Sequence, residues 1–290
     1  MKDEFTLATP HFTLEGRSRA GHETYFRIRE LGLGFDIGRC PDMLVSMPHV
    51  FITHAHLDHA AGIPFYAGQR HLQKLGGGTI YVPAEAAEDV RALLAIQAKL
   101  TGAPLLPPDD SSGGIRIAGV AVGEEVSVGR RHLVRGHAAS HRVAARAYEL
   151  IERRHHLLPE LSGASGEEIG RRRREGMPVE EEYRRGIFFY TGDTDRGLLE
   201  KCDALYRAEV LLIECSFITD GDQERAAKYR HIHIDDIAEF ADRFQNETII
   251  LTHFSRRYSH EDIRRGVRQR LPASLHHRVR LALPEQWQRL

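Results

Sequence analysis

Three short apolar runs in this chain end at a metal-competent side chain. Val50-Phe51-Ile52-Thr53 leads into His54, Ile187-Phe188-Phe189-Tyr190 closes three residues before Asp193, and Thr248-Ile249-Ile250-Leu251 closes two before His253. Apolar runs this short read as buried strands rather than helices, so the chain must build a sheet whose strand ends can share one site. The first run is the most informative, because it opens Thr53-His54-Ala55-His56-Leu57-Asp58-His59-Ala60-Ala61-Gly62. Three imidazoles and a carboxylate within six residues suit borderline-soft divalent ions, zinc first. A chain of this composition would show the pattern by chance roughly four times in a thousand. Continued as a strand, the segment puts His54 and His56 on one face, and a turn at Leu57 aims Asp58 and His59 at a neighbouring point. One segment could thus serve two metals. His141, after the strand-like stretch His132–Ala139, is a further strand-end candidate, with His137 as its rival.

Composition narrows the setting. The chain has 290 residues with 41% hydrophobic side chains, enough for one large domain or two small ones. It holds no run of about 18 apolar residues, so no membrane span is expected. Its start, Met1-Lys2-Asp3-Glu4-Phe5, carries acids where a signal peptide needs a basic and then an apolar stretch, which points to the cytoplasm. Cys40, Cys202 and Cys215 are odd in number and far apart, suggesting neither a disulfide framework nor a thiolate zinc site. Histidine is abundant at 18 residues, while the net charge of −1 excludes global steering of an anionic partner.

Elsewhere, Thr24–Arg29 and Leu33–Gly38 read as a hairpin, Thr79–Pro83 as a strand, and the stretch from Pro83 to about Leu100 as a helix. The segment 101–114 has the composition of a loop. Strands are expected around 115–128, 132–139, 210–213 and 278–283, with helices over Asp235–Phe244 and Glu261–Leu271. Between 151 and 186 there is no apolar run, only eight arginines and eight glutamates. Many strands with few helices imply layered sheets flanked by helices.

The His54–His59 segment, followed by Gly192-Asp193-Thr194 and then His253-Phe254-Ser255-Arg256-Arg257-Tyr258, resembles the metallo-β-lactamase superfamily. Phe35-Asp36-Ile37-Gly38, His141-Arg142-Val143, Tyr229-Arg230-His231-Ile232-His233 and the His253–Tyr258 box are similar to the short form of the RNase Z family, tRNA 3′-processing endoribonucleases. Two stretches differ from that family's pattern: Ala144-Ala145-Arg146-Ala147 before Tyr148, where a Ser and a Gly are usual, and an N-terminus without a glycine-rich first strand.

The resemblance implies an α/β fold, the αββα sandwich of two mixed sheets, as a single domain over 1–290 with 151–186 as an inserted arm. It implies two zinc ions per subunit, with manganese as an alternative. One would sit on His54, His56 and His141, the other on Asp58, His59 and His253, with Asp193 bridging. Asp58 would orient the attacking water, His231 would protonate the leaving group, and Glu214 would orient His231, while His233 is structural. Ser255, Arg257 and Tyr258 become substrate contacts, with an ion pair as the other use of Arg257. The implied partners are precursor tRNA and a second copy of the chain. Another hydrolase of the same fold, acting on small phosphodiesters, esters or thioesters, is the competing expectation.

Overall fold

A computed structural model describes residues 4–102, 105 and 115–290. Fourteen strands among these residues form two seven-stranded sheets. The first takes, in chain order, β1 (Phe5–Ala8), β2 (Thr13–Arg19), β3 (Glu23–Ile28), β4 (Leu33–Phe35), β5 (His49–Phe51), β6 (Gly78–Pro83) and β7 (Ile115–Val120). The second takes β8 (Glu125–Val128), β9 (His132–Ala138), β10 (Arg146–Leu157), β11 (Glu180–Tyr190), β12 (Val210–Glu214), β13 (Thr248–Thr252) and β14 (Val279–Leu281). Each sheet is antiparallel through its first four strands and parallel through its last four.

Strand alternation sorts the apolar side chains into layers. Val210 and Leu212 of β12, with Ile250 of β13, face the inter-sheet core beside Phe26, Phe35, Phe51 and Phe188. Their neighbours Leu211, Ile213, Ile249 and Leu251 face outward against Ile237, Ile263 and Val267 of the helices Ile234–Glu239 and His260–Arg270. On the opposite face, Val50, Ile80 and Ile117 meet Tyr66, Val90 and Leu94 of the helices Ile63–Leu72 and Ala87–Thr101. The result is helix, sheet, sheet, helix, the metallo-β-lactamase sandwich expected from the sequence. Phe51 stacks on Tyr81 with ring centroids 4.3 Å apart, and Phe35 meets Phe188 at 5.1 Å across the sheets. Truncating a ring such as Phe188 to alanine should cost about 3–5 kcal/mol.

Parallel pairing has a functional consequence: the carboxyl ends of β4 and β5, and of β11, β12 and β13, lie along common sheet edges. Strand β9 runs in the same direction as β11, because each is antiparallel to β10. Strand ends of this kind are where open α/β sheets build their sites.

Some elements differ from expectation. Pro83 does not open its helix directly; a 3₁₀ turn over Ala84–Ala86 intervenes before Ala87. The helix expected over Asp235–Phe244 stops at Glu239 and continues as a 3₁₀ turn, Ala241–Arg243. The loop expected over 101–114 falls mostly outside the described residues. In the charged stretch 151–186, β10 and β11 run on as a two-stranded ribbon pairing Arg153–Leu157 with Glu180–Arg184, capped by the helix Gly166–Arg174. No alternation announced those strands, because neither face of the ribbon tip is covered. Arg146, which stands in a stretch that departs from the family pattern, is buried. Its guanidinium binds the Glu85 carboxylate and the carbonyls of Val120 and Ala145, so the large side chain replaces small ones with all its partners in place. No helix among the described residues is long and apolar enough to cross a membrane.

Candidate metal centre

Five side chains from four strand ends, with Asp58 and His59 from the short helix after β5, converge in two groups, which a third set, Asp193, His231 and His253, links. His54, His56, His141 and Asp193 form one, and Asp58, His59 and His253 the other, with donor atoms in each within 4.8 Å of one another. His56 caps the short helix Leu57–Ala60, whose first turn carries Asp58 and whose last carries His59. The turn at Leu57 is thus a helix start, which aims the second pair of donors away from the first. Asp193 lies between the groups: its Oδ2 is 3.7 Å from His54 Nε2, and its Oδ1 is 3.4 Å from His59 Nε2 and 3.3 Å from His253 Nε2. In the second group, Asp58 Oδ2 is 3.6 Å from both His59 Nε2 and His253 Nε2, and the two imidazole nitrogens are 3.3 Å apart. Four donors placed tetrahedrally about 2.0–2.1 Å from an ion lie about 3.3 Å from each other, so this spacing fits an ion between them. Asp193 Oδ1 is buried without a hydrogen-bond partner, a cost that a bound cation would remove. The donor set therefore fits divalent metal binding.

The far side of four of the five rings is also occupied. His59 Nδ1 donates to Asp36 Oδ2 at 2.7 Å, His54 Nδ1 to Thr53 Oγ1 at 3.1 Å, His141 Nδ1 to the Arg230 carbonyl at 3.0 Å, and His253 Nδ1 to Ser216 Oγ at 2.9 Å. Each of these four rings is thereby held in the tautomer that turns Nε2 inward, while His56 presents Nδ1, 2.9 Å from His54 Nε2 and 3.3 Å from His141 Nε2. Burial, the largest influence, pushes the His54, His56 and His141 imidazoles below their ordinary range and keeps them in the neutral form that ligates. Burial opposes charge on Asp193 and Asp58 too, but the neighbouring His253 and His59 hold both carboxyls well below the usual carboxylate range.

Backbone strain is concentrated here. Asp36 and His253 both adopt left-handed φ, at 53° and 61°. A non-glycine residue in that region persists only where its surroundings hold it. Gly192, at φ 56°, is required twice over, since a Cβ there would lie 2.6 Å from the Thr53 side chain.

Behind the donors lies a proton-handling pair. His231 Nδ1 donates to Glu214 Oε1 at 2.9 Å, and Glu214 also accepts the Thr194 N–H at 2.8 Å and the Ser216 hydroxyl at 2.7 Å. The His231 ring lies 5.4 Å from that of His253 and 5.3 Å from that of His141. Burial resists its charge, yet the Glu214 carboxylate prevails and the imidazole is pushed up to about 9. His233 caps the helix Ile234–Glu239 and binds the Thr219 carbonyl, away from the donors. His137 joins neither donor group; it binds Glu149. Arg257 and Tyr258 are tied to Asp222, by an ion pair at 2.9 Å and a hydroxyl hydrogen bond at 2.5 Å, and Ser255 Oγ accepts from Arg257 Nε at 3.4 Å. These three line a braced loop beside His253 rather than pointing free.

Sequence reasoning overlooked Asp36. It is fully buried, accepts the Thr53 N–H, the Thr53 hydroxyl and the Tyr190 hydroxyl, and orients His59. It stands in Phe35-Asp36-Ile37-Gly38, one of the stretches that carry the family resemblance, but no role attaches to it there.

Residues 39–254 match the beta-lactamase superfamily domain, the class that the sandwich and its strand-end donors define. The chain is 34% identical over 96% of its length to the Arabidopsis thaliana protein "tRNase Z TRZ1", covering 98% of it, and 34% identical over 88% to chloroplastic tRNase Z TRZ2 of the same plant, covering 71% of it. In fold it is similar to the short form of human tRNase Z, with TM-score 0.52 and 18% identity over 88% of this chain and 93% of that one. The chain belongs to the tRNase Z family of the metallo-β-lactamase superfamily.

Proposed function

We propose that this protein is a metal-dependent endoribonuclease that removes the 3′ trailer from tRNA precursors, leaving a 3′-hydroxyl on the tRNA. The observation that carries the reading is the position of His231: a buried imidazole held by Glu214, against the rings of His141 and His253. Relatives that match nearly the whole chain are named tRNase Z.

His54, His56 and His141 would hold one divalent ion, Asp58, His59 and His253 a second, and Asp193 would bridge them; zinc suits this histidine-rich set, with manganese as an alternative. When bound, such a pair acidifies water and neutralises phosphate charge. The remaining work belongs to side chains. Asp58 Oδ2, fixed by the Gly21 N–H at 2.7 Å, orients the attacking water and takes up its proton. His231 donates a proton to the leaving ribose 3′-oxygen. Glu214 keeps that ring charged and turned so that Nε2 faces the site.

Substrate reach falls to the arm, 151–186, which we read as an insertion into a single domain. Of its arginines, Arg154, Arg184 and Arg185 are paired with Glu152, Glu182 and Glu209. On the tip helix Arg173 pairs with Glu180, while Arg171, Arg172 and Arg174 have no carboxylate partner among the described residues, which leaves them for phosphates. Net charge near zero thus conceals a helix whose last turn is basic, with Glu167 and Glu168 in its first. Ser255, Arg257 and Tyr258 remain the proposed contacts next to the metal centre. A homodimer is proposed from exposed Leu93, Ile96 and Leu100 on the helix Ala87–Thr101, with Phe65 and Leu72 on its packed neighbour Ile63–Leu72. A cytoplasmic setting is proposed on the three free cysteines. The test is to incubate zinc- or manganese-loaded protein with a 3′-extended tRNA precursor and with bis-p-nitrophenyl phosphate. Cleavage of the precursor at the base of the trailer is expected; cleavage of the small ester alone contradicts the reading.

A further inference from the structure

His137, four residues before His141, carries chemistry that the metal centre does not use. Its Nε2 donates to Glu149 Oε2 at 2.9 Å, and its Nδ1 lies 3.6 Å from the sulfur of Cys202. The three form a chain of carboxylate, imidazole and thiol, in which the acid fixes the ring's tautomer and leaves Nδ1 to take the thiol proton. Cys202 is free, and it is partly exposed where Cys40 and Cys215 are buried. Its surroundings add a second, independent feature. Cys202 and His137 line a cavity of about 760 Å³ whose wall also carries Arg135, Lys201, Arg207 and Arg230. Asp203 is the one acid on that wall, and it is paired with Arg243. Lys201 and Arg207 have no acidic partner among the described residues. The His137 ring is pushed up to about 9: burial opposes its charge, and Cys202 and Glu149 outweigh burial.

We propose that Cys202 is a thiol-exchange site for small anionic disulfides, with His137 and Glu149 activating the sulfur and the cationic wall receiving the carboxylates of the reagent. The step balances without a further oxidant. His137 Nδ1 takes the proton from Cys202, and the sulfur attacks one sulfur of the disulfide. A Cys202–S–S–R bond forms as the R–S–S–R bond breaks, and the departing thiolate takes the proton from His137. The Cys202 sulfur is oxidised and the departing sulfur is reduced to a thiol, while the sulfur retained in the mixed disulfide keeps its oxidation state. The cationic wall selects by charge, raising the local concentration of anions and excluding cations.

The experiment uses the full chain and two probes, dianionic glutathione disulfide and dicationic cystamine, with adducts followed by intact mass and peptide mapping. Each rate is normalised to that of N-acetylcysteine with the same reagent. The expected result is an adduct on Cys202, absent from Cys202→Ser, with a normalised preference of about tenfold or more for glutathione disulfide. Lys201→Glu combined with Arg207→Glu should invert that preference. His137→Gln should slow both reagents about tenfold or more. A normalised ratio near one in the wild-type protein, which needs no variant to fold, overturns the proposal; so does an adduct rate indifferent to His137→Gln.

Discussion

At the metal centre almost every ionisable side chain is gripped from two sides, whereas along the arm most charges face water with one ion-pair partner or none among the described residues. His59 has Asp36 behind it and Asp193 before it, and both rings and carboxylates there are buried. Arg154 and Arg173 on the arm each meet one carboxylate, Glu152 and Glu180, at solvent-facing positions. Buried, doubly held groups lose much when one partner goes, while exposed ion pairs contribute about 0–1 kcal/mol each. The centre should therefore answer to single substitutions and the arm only to several at once.

The sharpest way to break that contrast is Asp193→Ala, which removes the carboxylate placed between the two donor groups. Bound metal, measured by elemental analysis, should fall, and turnover should drop by more than the roughly 100-fold that changes behind a ligand cost. His231→Ala should follow, lowering kcat by about 10²–10⁴-fold with metal content intact; lost metal would reassign that residue. Asp36→Asn replaces no donor, yet should weaken metal affinity by about 10–100-fold, because it loosens His59. Full affinity in that variant would remove the two-sided grip from the explanation. On the arm, Arg171, Arg172 and Arg174 replaced together by Glu should raise KM for precursor tRNA and lower the salt-dependence slope of binding by about 2–3, with bis-p-nitrophenyl phosphate turnover unchanged.

The smallest expected effect concerns stability. His137 is charged more readily in the fold than in the unfolded chain, so its contribution is fully present below pH about 6.5 and is lost as pH rises through about 9. Urea unfolding between those values should show that decline in the wild-type protein and a flatter profile in His137→Gln.

Much of the centre could be read in the sequence because its donors announce themselves locally. His54, His56, Asp58 and His59 sit in one segment, and Asp193 and His253 follow apolar runs whose length already marked them as strands. The sandwich was legible for the same reason: compact runs such as Val210–Ile213 are buried on both faces, so their apolar content is continuous. What escaped depends on contacts across the chain. Asp36 reaches His59 over 23 positions, Ser216 reaches His253 over 37, and Cys202 reaches His137 over 65, none with a spacing rule. The arm escaped for the opposite reason: Arg154–Leu157 and Glu180–Tyr183 pair only with each other among the described strands, so no buried face imposes the alternation by which strands are recognised.

The central claim is that the donor cluster and His231 hydrolyse RNA by attack of water with protonation of the ribose 3′-oxygen. Mapping the ends produced from a 3′-extended tRNA precursor by the metal-loaded protein tests this most directly. A 3′-hydroxyl on the tRNA and a 5′-phosphate on the trailer are expected, with the yield of both falling together in His231→Ala. A 2′,3′-cyclic phosphate on the tRNA, which requires attack by the neighbouring ribose hydroxyl instead of water, would contradict it.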